Sequence, residues 1–168
     1  MYRGGDVYLA SSEWLSEHVS NQHGSLGEAY PVYDGGDPWG KVHGIKEGDT
    51  PSFLYLIQNG LGNPMKPAWG SWGGRFVGNG CHFTDAEDMF SGESSPRATV
   101  FRWRNAYQAD FQARMDWCIK DYQEANHPPV AVVSGSTMLA VAPGILVRLS
   151  AVDSFDPDGD ILSYNWAF

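Results

Sequence analysis

The sequence predicts an α/β chain, largely helices and long loops, that gives way near residue 127 to a truncated all-β unit. Three observations carry this. Capped or periodic helix patterns recur through the first 126 residues, separated by glycine- and proline-rich stretches. From Val130 onward, VAVVSG, ILVRLSAVDS and ILSYNWAF are β-rich runs bounded by turns. NHPP at 126–129 stands between the two patterns, and a residue before proline avoids helical backbone.

Each element follows from its local residues. DVYLA (6–10) reads as a short strand. Ser11 or Ser12 caps a short helix through Glu13, Trp14 and Leu15 to about Val19. Residues 20–48 are turn-rich. Thr50 reads as an N-cap with Pro51 at the first helical position, where its missing N–H costs nothing. That helix should run to about Asn59, with Gly60 beyond it and a buried face of Phe53, Leu54, Ile57 and Leu61. Residues 60–82 read as one long loop, dense in Gly and Pro, whose aromatics argue against disorder. Asp85 to Phe90 reads as one helical turn and ESSPRA as a break. The clearest helix spans about 104–124, where Tyr107, Phe111, Met115, Cys118 and Tyr122 form a core-facing stripe. FDPDGD (155–160) reads as a turn between two strands.

Composition excludes some partners. The 168 residues carry a net charge of −9 with 11 Lys and Arg, which speaks against nucleic acid and against an anionic membrane surface. No apolar run approaches the ~18 residues of a membrane span. Seven Trp and 20 Gly in a chain only 18% charged suit a surface for neutral, ring-shaped ligands. A loop-rich core has the same composition. Cys81 and Cys118 form no CxxC, so a thiolate zinc site is unsupported; a disulfide and two free thiols are both open. The first five residues, MYRGG, contain no apolar signal region, so an exported parent would carry its signal upstream.

The β unit begins near 128 and runs for about three strands, where an immunoglobulin-like sandwich has about seven. A cut sheet leaves a free edge and an apolar face. Either residues 1–125 or another copy of the chain must cover them, and homo-oligomerisation is the expectation.

Four stretches together resemble a bacterial family of exported cellulose-binding proteins: YPVYDGGDPWGKVHGIKEGDTPSFLYLIQNGLGNP, AWGSWGGRF, RWRNAYQADFQARMDWCIKDYQEANHPPV and DPDGDILSYNWAF. The family joins a nucleoside-hydrolase-like α/β domain to a C-terminal immunoglobulin-like domain, and the resemblance covers nearly the whole chain. It implies that residues 1–126 are the C-terminal part of the first domain and 127–168 an incomplete β-sandwich. It also implies a secreted or periplasmic parent, cellulose or a related β-glucan as partner, and N-glycosidic hydrolysis as the ancestral chemistry. Family members are much longer. The DxDxxxDD calcium cluster of nucleoside hydrolases has no counterpart here. Asp49 in EGDTPSFLYLI is most similar to the later aspartate that completes the calcium shell, which makes it the surviving half of a metal and sugar-diol site. It also suits a helix N-terminus. Calcium takes six to eight oxygens, so one carboxylate is a poor cage. No cofactor is required on this reading, Ca2+ at Asp49 is one candidate, and loss of N-ribohydrolase activity is expected.

Sugar rings present apolar CH faces to aromatics and hydroxyls to carboxylates and amides. Trp39, Trp69 and Trp72 lie in Gly/Pro loops and read either as a stacking platform or as pins of their own loop. Trp14, Trp103, Trp117 and Trp166 read as core. Glycoside hydrolysis takes two carboxyls, ~5–5.5 Å apart to retain configuration or ~6.5–9.5 Å apart to invert. Asp34, Asp37, Glu47 and Asp49 share one loop region, and Glu47, Asp49 and Asp37 are the catalytic candidates. Asp34 and Asp37 also fit plain turns. His43 either contacts sugar or is a loop histidine. Serine-nucleophile hydrolysis has no GxSxG to support it. Asp156, Asp158 and Asp160 alternate as metal ligands do, but the glycine and final Glu of an EF-hand are missing, and a turn is the simpler reading. The leading function is binding, with hydrolysis as an extension, of cellulose or a related β-glucan. The rivals are an N-glycosidase and a non-enzymatic assembly module.

Overall fold

The computed structural model describes residues 5–34, 43–45, 49–135 and 139–166, apart from the side chains of Asp34 and Glu93. These divide into two compact units, one ending at Ala125 and the other beginning at Asn126.

The first unit opens with a turn of 3-10 helix at Tyr8–Ala10 in place of the expected strand. The reason is local: Asp6 Oδ1 accepts the Tyr8 N–H at 3.0 Å, and an aspartate bonded two residues on nucleates a turn. Helix α1 (Ser12–Leu15) starts where predicted, with Ser11 Oγ accepting the Trp14 N–H at 3.1 Å. It widens into a π-type turn at Ser16–Ser20, closed by the Asn21 N–H on the Ser16 carbonyl at 3.0 Å. Trp14, Leu15 and Val19 are buried there against Met115. Helix α2 (Gly24–Ala29) forms inside the stretch that reads as turns. Strands β1 (Tyr33–Asp34) and β2 (His43–Gly44) pair antiparallel. Gly44 has φ +97°, and a Cβ there would lie 2.2 Å from the Ala10 carbonyl oxygen, so only glycine fits.

Helix α3 (Thr50–Leu56) is capped by Asp49 rather than Thr50, through the Asp49 carbonyl, which accepts the Ser52 N–H at 3.0 Å. It ends short of Asn59, because Ile57 is already extended. Of its predicted face Leu54 alone is fully buried, and Phe53 is exposed. The expected 60–82 loop is structured. It holds a 3-10 turn (Pro67–Trp69), a tight turn at Ser71–Gly74, and β3 (Phe76–Gly78) paired with β4 (Phe83–Asp85). The expected helical turn at 85–90 is instead strand β5 (Asp88–Phe90), paired with β6 (Glu93–Ser95). Ser91 and Gly92 between them both have positive φ, 53° and 85°, as a two-residue type I′ hairpin requires.

Helix α4 (Ala98–Phe101) is buried throughout, and Phe101 meets Phe90 edge-on at 5.1 Å. Helix α5 (Arg104–Asp116) ends well before 124, so its stripe is only half used. Met115 is buried and Phe111 packs beside it, whereas Cys118 and Tyr122 are exposed. The same helix buries Arg104 and Gln108, which donate to the carbonyls of Asp6 and Leu9.

In the second unit the described residues form no strand. Isolated bridges join Val130 to Phe155 and Ser134 to Ser150. An all-β immunoglobulin-like unit is therefore not evident. The runs are β-prone, but among the described residues they pair only at these two bridges, and Leu146 and Ile161 are exposed. FDPDGD is a turn, as expected. Asp156 Oδ1 accepts the Asp158 N–H, and the Asp158 carboxylate takes both the backbone N–H (2.5 Å) and Nδ1 (2.8 Å) of His127. These bonds occupy two of the three carboxylates proposed for calcium.

Candidate functional site

A cleft of about 760 Å³ opens beside the first half of α3. One wall is Ser52 and Tyr55. The Ser71–Gly74 turn and Phe76 form the next, and Asp85 and the 96–100 segment close it. The turn lies hard against the helix: a Cβ on Gly73 would sit 2.1 Å from the Pro51 carbonyl oxygen and 2.5 Å from the Tyr55 nitrogen. Glycine at 73 thus lets backbone pack on backbone. The Tyr55 ring meets Phe76 edge-on at 5.7 Å. Its hydroxyl is buried and has no hydrogen-bond partner among the described residues. An unmet buried hydroxyl costs about 1–3 kcal/mol, which a ligand oxygen would recover. Thr99 Oγ1 donates to the Pro96 carbonyl at 2.8 Å.

The wall is braced from behind. Arg75 Nη2 binds Asp88 Oδ1 at 2.6 Å, and Arg102 Nη1 binds Asp88 Oδ2 at 3.0 Å, tying both hairpins to α4. Burial of Asp88 opposes its ionisation. The two guanidiniums outweigh burial and hold its carboxyl below the usual range.

The predicted site residues are dispersed. Glu47, Asp37 and Trp39 lie outside the described residues. Asp49 is exposed at the start of α3, and His43 is exposed on β2 opposite Asp34; neither lines the cleft. Trp72 is half-buried in the Ser71–Gly74 turn itself, and Trp69, 63% exposed, ends the 3-10 turn just before it. Neither lines the cleft itself; Trp72 adjoins Gly73 and Gly74, which do. Of the tryptophans read as core, Trp14 is buried, while Trp117 and Trp166 are exposed. Tyr55 and Asp85 were not legible as site residues. Tyr55 falls off the apolar stripe of its helix, and Asp85 enters only through the β3–β4 pairing.

Chemically, the cleft combines hydroxyls, two aromatic rings and, among its described lining, one carboxylate and one guanidinium. That set suits a neutral polyol. Among the described residues no three His, Cys, Asp or Glu side chains gather as metal ligands do, so they supply no calcium shell at Asp49. Cys81 and Cys118 are free and exposed thiols. No described helix is long and apolar enough to cross a membrane.

No curated protein matches this sequence. The family model for "cellulose-binding Sde182, nucleoside hydrolase-like domain" matches residues 2–76, a stretch that contains α3 and the Ser71–Gly74 turn. A solved structure from Saccharophagus degradans is similar, with 34% identity and a TM-score of 0.61. It is described as a nucleoside hydrolase-related hypothetical protein associated with carbohydrate metabolism. The likeness covers 90% of this chain and 38% of that one, so the chain spans well under half of that protein's length. As the sequence resemblance implies, the fold is nucleoside-hydrolase-like.

Proposed function

We propose that the chain binds cellulose or a related β-glucan in the cleft beside α3, with Trp69 and Trp72, on the chain segment just before Gly73 and outside the cleft lining, as flanking stacking faces. The observation that carries this is a cleft lined by hydroxyl-bearing side chains and two rings, one of them Tyr55, whose buried hydroxyl has no partner among the described residues. The cellulose-binding description of the matching family supports it. The test is retention on insoluble cellulose. Tyr55→Phe removes only an oxygen that bonds no described residue, so stability holds or rises while retention weakens about tenfold. Trp72→Ala weakens it further. Retention unchanged in both variants sinks the reading.

Binding without turnover is the form the geometry favours. Glycoside hydrolysis takes a pair of carboxyls, and Asp85 is the one described carboxylate that lines the cleft. Hydrolysis through Glu47, Asp49 and Asp37 is the extension. Reducing sugar released from carboxymethyl-cellulose, and lost in Asp49→Asn, would establish it. Release of free base from inosine, stopped by chelator, would instead favour the N-glycosidase reading. An exported parent and homo-oligomeric assembly complete the proposal, the latter supported by the many apolar side chains exposed in 126–168.

A further inference from the structure

The β3–β4 hairpin carries the face of the cleft beyond the cleft's own lining. Its register sets Phe76 opposite Asp85, Val77 opposite Thr84 and Gly78 opposite Phe83. Opposite residues of an antiparallel pair share a face, and so do residues two apart on one strand. Phe76 and Asp85 both line the cleft. Gly78 and Phe83 therefore stand on that same face, one step further out. The step is about 6–7 Å along the strands, near the length of one sugar unit. The Phe83 ring turns toward β3, since a Cβ on Gly78 would lie 3.1 Å from Phe83 Cε1. Glycine at 78 thus leaves room for the ring to lie close against the sheet. The ring is nonetheless 62% exposed. Just beyond it the hairpin is tied, because the Asn79 N–H donates to the His82 carbonyl at 3.0 Å.

From this face we infer that Phe83 is a further stacking subsite, continuous with the cleft, for the next unit of a β-glucan chain. The inference rests on the reading that the cleft binds β-glucan. It adds that the site takes an extended segment of chain and not a single sugar. A cleft of about 760 Å³ is itself roomier than one sugar ring. A phenyl ring has no hydrogen-bonding group, so this subsite reads the apolar CH face of a sugar and not its hydroxyl pattern. Asp85, two residues along β4, supplies acceptor oxygens for hydroxyls of the unit seated nearer Tyr55. A flat ring held on a paired strand loses little freedom when a sugar settles on it.

The experiment compares the affinity of the full chain for cellobiose and for cellohexaose by calorimetry. The longer sugar is expected to bind more tightly. Phe83→Ala should weaken cellohexaose binding about tenfold, the scale of one aromatic contact, and leave cellobiose unchanged. Phe83→Leu keeps apolar bulk against Gly78 and should lose the same preference, whereas Phe83→Tyr should keep it. Equal affinity of the wild-type chain for both sugars would overturn the inference. So would unchanged cellohexaose binding in Phe83→Ala, equal weakening of both sugars there, or full affinity in Phe83→Leu. Tyr55→Phe should weaken both sugars alike. Loss in Tyr55→Phe with none in Phe83→Ala therefore sinks the subsite and leaves the cleft standing, while binding of neither sugar sinks both.

Discussion

Asp88 joins the β5–β6 hairpin to Arg75 and to Arg102, with 14% of its side chain exposed. Replacing it with asparagine leaves two guanidiniums facing a neutral amide, and the expected cost is about 2 kcal/mol in urea unfolding. The acid dependence follows from the direction of its shift. The native carboxyl is depressed, so its contribution is full above the unfolded value near pH ~4 and is lost as pH falls through the lower native value. Asp88→Asn should flatten that part of the acid unfolding curve; an unchanged curve would remove Asp88 from the account. At this scale the sequence is hard to read, because an Asp in DAEDMF shows nothing of two arginines brought to it by pairing and packing. Asp49 is the converse. Its place before a helix was legible, but its position outside the cleft depends on where the chain turns after Gly60.

The elements divide by how local their causes are. The Ser11 cap and Pro51 near the start of α3 are written within a few residues; α1 begins where the sequence says and α3 one residue earlier, capped by Asp49. The hairpins are three-residue strands held by partners, and only the positive-φ Ser91-Gly92 pair offered a local signal. Helix α5 tests the apolar stripe directly. Met115→Ala opens a hole in the Trp14–Leu15–Val19 cluster and should cost about 3 kcal/mol. Tyr122→Ala, 76% exposed beyond the helix end, should stay within about 0.5 kcal/mol by the same assay. Equal losses would mean the stripe runs on as the sequence suggests. Between α3 and the Ser71–Gly74 turn, Gly73→Ala forces a methyl into helix backbone. It should destabilise the chain by about 3 kcal/mol and abolish cellulose retention. Full retention would show that the turn is not a wall of the site.

At the scale of the molecule, the chain pairs a cored unit with one whose described apolar side chains stay largely wet. Leu146, Val152 and Ile161 are 78%, 76% and 101% exposed. Light scattering at micromolar concentration should therefore report a defined oligomer with or without sugar, and a monomer would overturn the assembly proposal. The β propensity of 130–166 was plain in the sequence. What it left out was the pairing, since a strand is stabilised by its neighbour across the sheet and not by its own residues. The exposed thiols bear on the same measurement. Cys81 sits between β3 and β4, and Cys118 follows α5. Air oxidation would couple copies through them and counterfeit an assembly, so the sample needs reductant or alkylation. Once reduced, the pair becomes a ruler: spin labels on the two sulfurs would read the distance from hairpin tip to helix end, with no engineered cysteine.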